Sequence, residues 1–345
     1  MGILIRSILV IRLRAFGDTL LSTPLLRSLK LAYPEARLDV LVEPGMAPLL
    51  SGLPYVDGLV LFDRPALKAR GWWPELKASL ALYARLRQSH YDLVLDPLGT
   101  PRTAWMCLAT GAAVRVGFDF RGRRWAYTKR VPIPQERQYM ALVTAELLKP
   151  LGLGLDGLAL DFPLSPEARD WARQALAGLG FGPQEKPVLA SPAGGWGLKR
   201  YAPEKLGQAL ALLGRKSLVL WGPGEQELAQ AVAGAAQGSA QLAPKTSFQQ
   251  LAGLIAEAGL VLSCDGANKH LAVALGTPSL TLFGPTSWVA WHPPADPRHQ
   301  ALHLGLDCMP CEALECRLPR RACLDDLEPA QVAEAARGML ATLEA

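Results

Sequence analysis

Asp18 is the first residue whose type and place suggest chemistry. It stands in Arg12-Leu13-Arg14-Ala15-Phe16-Gly17-Asp18-Thr19-Leu20, where an apolar run gives way to an amphipathic one. Gly17 permits a tight turn there. An aspartate at such a turn has two readings. It is a helix cap, or it is a general base at the carboxyl end of a strand, with the helix dipole favouring its ionised form. A second group is Ser191-Pro192-Ala193-Gly194-Gly195-Trp196-Gly197-Leu198-Lys199. Glycines let backbone N–H groups approach a phosphate, and Lys199 adds a point charge. The same stretch also reads as a flexible loop with solvated basic residues. It is not a Walker A loop, and no G-x-G-x-x-G follows a strand in the first half, which weighs against a dehydrogenase.

A third group runs from Cys264-Asp265-Gly266-Ala267-Asn268-Lys269-His270 to Phe283-Gly284-Pro285-Thr286. A carboxylate beside a diphosphate would repel it. Asp265 is therefore expected to cap the turn, while the N–H groups of Gly266 and Ala267 meet the phosphates. His270 either donates to a phosphate or packs inside. Glu225, after Trp221-Gly222-Pro223-Gly224, is placed to accept both hydroxyls of a ribose or simply to favour the first turn of a helix. No D-x-D occurs, so a diphosphate must be met by Lys199, N–H groups and helix termini without a metal in catalysis.

Cys308, Cys311, Cys316 and Cys323 form C-x2-C-x4-C-x6-C. A structural zinc, disulfides and free thiols are all open readings. Cys107 and Cys264 read as small buried hydrophobes. Arg121, Arg123, Arg124, Lys129 and Arg130 cluster with Trp125 and Tyr127. Without an RNA-binding motif the cluster argues against nucleic acid as partner. It suits a carboxylated or phosphorylated sugar, or a solvated surface.

The elements that must position these residues alternate. Ser7–Leu13, Arg37–Val42, Gly58–Phe62, Tyr91–Asp96 and Ala113–Gly117 predict strands, with helices at 18–32, 73–89 and 138–151. After the stretch 150–166 the rhythm restarts. A helix opens at Ser165 or Pro166, strands recur at 187–191, 217–221, 260–264 and 279–283, and helices fall at 203–213, 225–236, 248–256, 267–275 and from Pro329 onward. The expected fold is α/β: two Rossmann-like domains, 1–155 and 165–328, with parallel sheets facing a central cleft. A final helix, 329–345, is expected to pack back on the N-terminal domain. Half of the 345 residues are hydrophobic and 19% are charged, enough for two cores. No apolar run is long enough to span a bilayer, and the N-terminal run is broken by Arg6 and Arg12, so the expected location is the cytoplasm. Residues 1–150 hold 21 Lys/Arg against 12 Asp/Glu, a balance of +9 within a total of +5. A basic N-terminal half suits an anionic acceptor.

Together these motifs resemble glycosyltransferase family 9, the bacterial heptosyltransferases of lipopolysaccharide core assembly, over nearly the whole chain. Arg12 to Asp18 resembles that family's R-x-x-x-x-G-D segment. Gly194 to Lys199 resembles its phosphate loop, Trp221 to Glu225 its strand-turn-Glu, and Asp265 to His270 with Phe283 to Thr286 its D-[ST]-G-x-x-H…[FY]-G-P-T signature. The resemblance implies a GT-B fold, an inverting reaction and an ADP-heptose donor. On that likeness Asp18 is the base, Lys199 and His270 neutralise the leaving diphosphate, Glu225 holds the ribose, and Thr246 lies near the adenine. An acidic, lipid-linked acceptor would bring the enzyme to the inner face of a membrane. The chain departs from the pattern at Gly266-Ala267, where the family has Ser/Thr-Gly, and at Asn268-Lys269. Two rival functions are a nucleotide-sugar epimerase of similar fold and a catalytically weak sugar-nucleotide-binding protein.

Overall fold

The computed structural model describes residues 4–294 and 296–344. Met1, Gly2 and Ile3, where the reading of the N-terminus begins, and Ala345, which ends the last helix as read, lie outside them. The chain divides into two compact units between Pro163 and Leu164, inside the stretch 150–166.

Unit one holds the strands β1 (Ser7–Ile11), β2 (Arg37–Val42), β3 (Gly58–Leu61), β4 (Leu93–Asp96), β5 (Val114–Phe118) and β6 (Lys129–Val131). They form one parallel sheet in the order β3-β2-β1-β4-β5-β6. This is the doubly wound order, in which the connections reverse direction between β1 and β4. β1 and β4 are central, and their residues Ile8 to Ile11 and Leu93 to Leu95 are fully buried, as strands covered on both faces must be. The tail of the unit is held down by Arg27. Its Nε lies 3.1 Å from Asp156, and its Nη1 bonds Asp161, which also accepts from the Tyr55 hydroxyl at 2.7 Å.

Unit two repeats the plan with β7 (Val188–Ser191), β8 (Ser217–Val219), β9 (Ala240–Leu242), β10 (Leu260–Cys264), β11 (Ser279–Leu282) and β12 (His299–Leu302), ordered β12-β11-β10-β7-β8-β9. Its switch point falls between β7 and β10. The C-terminal helix Pro329–Glu344 corrects an expectation. Its buried residues Val332, Ala333, Ala336, Met339 and Leu340 belong to the core of this second unit, and it packs on the helix Pro203–Leu213. Its apolar face is satisfied within the unit that precedes it.

The helix expected over 18–32 is two helices, Phe16–Leu20 and Thr23–Ala32. Pro24 has no N–H to give and is tolerated only in a first turn, so a new helix starts there. The helices Arg64–Ala69 and Pro101–Ala109 and the strands β6, β9 and β12 were not foreseen. Those three strands are three or four residues long and lie at sheet edges, where no long apolar run marks them.

Candidate active site

In unit one the chain leaves β1 at Ile11 and enters the short helix Phe16–Leu20, with Ala15 at its N-cap and Asp18 at the third helical position. The Asp18 carboxylate accepts from the Ala15 N–H at 3.4 Å, the reciprocal half of a capping box. Its stronger partner is Arg12. Nη2 of Arg12 lies 2.9 Å from Asp18 Oδ1, with the arginine side chain 3% exposed and the aspartate 26%. Nε of Arg12 donates to the Asp18 carbonyl at 3.0 Å. Arg12 thus fixes both the backbone and the carboxylate. The positive charge facing Asp18 is this guanidinium rather than the dipole of a helix little more than one turn long.

Asp96 ends β4, the neighbour of β1 across the switch point, and is fully buried. Tyr127 donates its hydroxyl to it at 2.7 Å, and the Gly99 and Leu98 N–H groups donate at 3.0 and 3.1 Å. Burial pushes its carboxyl pKa up, and these hydrogen bonds oppose the shift. Burial also pulls the Arg12 pKa down, against the charges of Asp18 and Asp96. The buried guanidinium pairs with Asp18 and feels the charge of Asp96; of the two carboxylates only Asp18 reaches solvent.

The expected acceptor arginines are not equivalent. Arg124 is paired with Asp119, Nε to Oδ1 at 2.8 Å and Nη2 to Oδ2 at 3.1 Å, so its fork is occupied. Arg123 lies over the Phe120 ring at 5.5 Å, and Arg121 is exposed. Neither has a carboxylate partner among the described residues.

In unit two the turns after β7 and β10 come together. Lys199 ends a short 3₁₀ turn, Gly197–Lys199, and donates to Asp265 Oδ2 at 2.7 Å. Its ammonium also sits 4.0 Å from the Trp196 ring centroid. Asp265 does not cap the helix Ala267–Leu275; Gly266 is the N-cap and no side chain bonds there. The carboxylate is instead held from three sides. Lys269 lies 2.6 Å from Oδ1, and Thr286 donates its hydroxyl to Oδ2 at 2.7 Å, alongside Lys199. Lys269 is fully buried, donates to the Trp291 carbonyl at 2.8 Å and lies over Phe283 at 4.5 Å. Burial raises the Asp265 pKa, but the charges of Lys269 and Lys199 overcome it and hold the carboxyl well below the usual range. Two ammonium groups on one carboxylate leave a net positive charge at the switch point.

Two glycines let these turns approach. A Cβ on Gly194 would lie 2.8 Å from Lys199 Cβ, and one on Gly266 would lie 3.2 Å from the Ala193 carbonyl. Asn268 ties the turns further, donating to Ser191 Oγ at 2.8 Å. A Cβ on Gly195 would meet nothing within 4 Å, so that backbone faces open space.

His270 is buried, and its Nδ1 has no hydrogen-bond partner among the described residues. Burial first, and the charge of Lys269 second, push its pKa well below the ordinary value. The imidazole is therefore held in its neutral form at pH 7. Glu225 is the N-cap residue of the helix Gln226–Ala235, and its Oε2 accepts from the Gly222 N–H at 2.8 Å, closing the turn after β8. Thr246 is half-buried between β9 and the helix Phe248–Ala256. In a parallel sheet the ends of β7, β8, β9 and β10 share one edge, so Lys199, Glu225, Thr246 and Asp265 lie along it.

The cysteines do not form a ready metal site. Cys308, Cys311 and Cys316 are exposed free thiols and Cys323 is a buried one. Among the described residues no three His, Cys, Asp or Glu side chains gather to hold an ion. Burial pushes the Cys323 thiol up to about 11, with Cys308, Cys311 and Cys316 adding to the shift. Cys107 and Cys264 are buried, and Cys264 Sγ accepts from the Tyr201 N–H at 3.2 Å.

The sequence reading gave no role to Arg12, Asp96, Lys269 or Thr286. For Lys269 a signal was present: it lies four residues after Asp265, the spacing of a helical ion pair.

Comparisons with known proteins agree with this architecture. Residues 79–321 match glycosyltransferase family 9 (heptosyltransferase). The chain is 29% identical over 294 residues to lipopolysaccharide heptosyltransferase 3 of Escherichia coli, covering 81% of this chain and 84% of that one. Among solved structures, a family 9 glycosyltransferase from Veillonella parvula superposes with a TM-score of 0.84 at 20% identity, covering 99% of this chain and 98% of that one. The E. coli heptosyltransferase WaaC with ADP-2-deoxy-2-fluoro heptose gives 0.72 at 23%, covering 96% and 99%. With its GT-B class fold and these matched motifs, the chain belongs to glycosyltransferase family 9, the heptosyltransferases, and is a glycosyltransferase.

Proposed function

We propose that this enzyme transfers heptose from ADP-heptose to an anionic, lipid-linked saccharide of the lipopolysaccharide core, with inversion and without a metal. The observation that carries the reading is the Lys199–Asp265–Lys269 cluster, a net cation built at the switch point of unit two from side chains alone. The diphosphate would draw Lys199 away from Asp265, and Lys269 and Thr286 would keep that carboxylate satisfied when it leaves. Backbone N–H groups at Gly194, Gly195, Gly266 and Ala267 and a neutral His270 would supply the remaining donors. Glu225 would take the ribose, and Thr246 would lie by the adenine.

Asp18 would remove the proton from the acceptor hydroxyl. The oxygen then attacks the anomeric carbon from the face opposite the diphosphate. The bond to the diphosphate oxygen breaks, and its electron pair stays on ADP. Arg12 acts through Asp18, holding the carboxylate toward its substrate. Arg121 and Arg123 would meet acidic groups of the acceptor; Arg124 would do so only by leaving Asp119. No helix among the described residues is long and apolar enough to cross a membrane, and we place the enzyme on the cytoplasmic side, in peripheral contact with lipid. Family membership supports transfer over epimerisation. The four cysteines enter no step.

The test is a calorimetric titration with ADP-heptose, ADP-glucose and UDP-glucose, in EDTA and in magnesium. The expected result is ADP-sugar binding that is tighter than UDP-sugar binding and unchanged by EDTA. Preference for the uridine donor, or binding that requires magnesium, would sink the donor assignment.

A further inference from the structure

The helix Trp72–Gln88 has two apolar faces. Ser79, Leu82 and Leu86 are buried on one. Trp73, Leu76 and Leu80, spaced i, i+3 and i+7, form a second stripe on the surface. Trp72 stacks on Trp73 with ring centroids 4.4 Å apart, and the two indoles are 66% and 64% exposed. Trp73, Leu76 and Leu80, with Pro74 and Lys77, line a shallow apolar groove, and Trp72 stacks beside it. Isolated exposed apolar residues are ordinary; a contiguous patch with two tryptophans marks a surface that something covers.

The surrounding charge identifies the cover. From Arg64 to Arg87 the chain has six Lys/Arg and one acidic residue, Glu75, which is already paired with Arg64 and Arg102. Lys68, Arg70 and Lys77 are exposed and have no carboxylate partner among the described residues. The helix Arg64–Ala69, which carries Lys68, buries none of its residues. Indoles settle at the head-group level of a bilayer, with the ring in the apolar zone and the N–H in the wet one. Basic side chains beside them are drawn to anionic head groups.

We propose that the Trp72–Leu80 face, framed by Lys68, Arg70 and Lys77, docks this protein on an anionic lipid bilayer. The proposal rests on the peripheral lipid contact proposed above and gives it a surface; that surface shares no residue with Asp18 or with the Lys199–Asp265 cluster, so neither donor binding nor turnover is needed to test it.

Co-sedimentation of the full chain with vesicles of phosphatidylglycerol and phosphatidylethanolamine, and with phosphatidylcholine alone, tests it. The wild type should bind the anionic vesicles at least about ten-fold more strongly than the neutral ones, and salt should weaken that binding. Two variants separate the contributions. Trp72→Ser with Trp73→Ser should lower binding about ten-fold and remove the blue shift of tryptophan emission. Lys68→Glu, Arg70→Glu and Lys77→Glu together should lower it about a hundred-fold, since each basic group near an anionic surface is worth about five-fold. All five side chains are exposed, so circular dichroism and ADP titration should match the wild type. Absence of wild-type binding to anionic vesicles, or variants that bind as the wild type does, overturns the proposal. So does self-association in solution that the tryptophan variant abolishes, because a second copy would then be the cover. ADP binding without vesicle binding rejects the docking face alone, whereas vesicle binding without ADP binding rejects the donor reading alone.

Discussion

Lys269 occupies the position where the cost of burial and the need for a counter-charge meet. A fully buried ammonium is tolerated because Asp265 lies 2.6 Å away and the Trp291 carbonyl accepts another of its hydrogen bonds. Its value to function is indirect. With Lys269 and Thr286 on Asp265, Lys199 is free to turn to a diphosphate without leaving a bare buried carboxylate. Lys269→Met should therefore tether Lys199 to Asp265 and weaken ADP binding by about ten-fold. It should also lower stability by about 3 kcal/mol, the low end for a broken buried pair, since two partners remain. Calorimetric ADP titration beside thermal unfolding checks this; a lower Tm with unchanged ADP affinity would make Lys269 a structural residue only. Asp18, Lys199 and Asp265 stand out as candidates in the sequence because glycines punctuate the turns that carry them. The cap expected of Asp265 was an error of neighbourhood. Its partners Lys199 and Thr286 are distant in sequence, and only the fold brings them within 3 Å of the carboxylate.

At the scale of elements, the turns after β7 and β10 form one construction that depends on glycine at two places for different reasons. Gly194 has no room for a Cβ, because Lys199 Cβ would lie 2.8 Å away. Gly195 has room, yet its open side is where a phosphate would approach. Gly194→Ala should displace Lys199 and weaken ADP binding. Gly195→Ala should leave Tm unchanged and still weaken ADP binding, because the new methyl group meets the ligand. An ADP affinity unaltered by Gly195→Ala would remove that backbone from the donor site. The central strands were readable from their apolar runs, and the helices 203–213, 248–256 and 267–275 fall as read. Edge strands β6, β9 and β12 were not readable, since a short, half-solvated strand carries little hydrophobic signal. The helix Trp72–Gln88 was readable as a helix, but not as one with two apolar faces, because periodicity does not say which stripe meets a core.

Across the whole molecule, buried histidines set the response to acid. Burial first lowers the pKa of His270 well below its ordinary value and brings His292 and His299 to about 4. A histidine depressed in the folded state takes up its proton on unfolding. Its contribution to stability is therefore present above the unfolded value of about 6.5 and is lost as pH falls from there toward the folded value. Asp96 and Glu43, both raised by burial, act the opposite way. Tm should fall between pH 7 and pH 5, and a Tm that is flat or rises over that interval would contradict these burials. The two doubly wound units were legible from the restart of the βαβ rhythm after the stretch 150–166. The home of the last helix was not, because an amphipathic stripe shows that a face is buried without naming the core that buries it.

The proposed reaction is transfer from ADP-heptose with Asp18 as base and no metal. The most direct measurement is the rate of ADP release in EDTA, with a heptose-deficient lipopolysaccharide core as acceptor, for the wild type and Asp18→Asn. Asparagine keeps the shape and can still face Arg12, but it cannot take the acceptor's proton. Wild-type turnover should be undiminished by EDTA, and turnover of the variant should be about 10²- to 10⁴-fold slower with ADP affinity near normal. Comparable turnover in the two proteins, or wild-type activity that EDTA abolishes and magnesium restores, would contradict it.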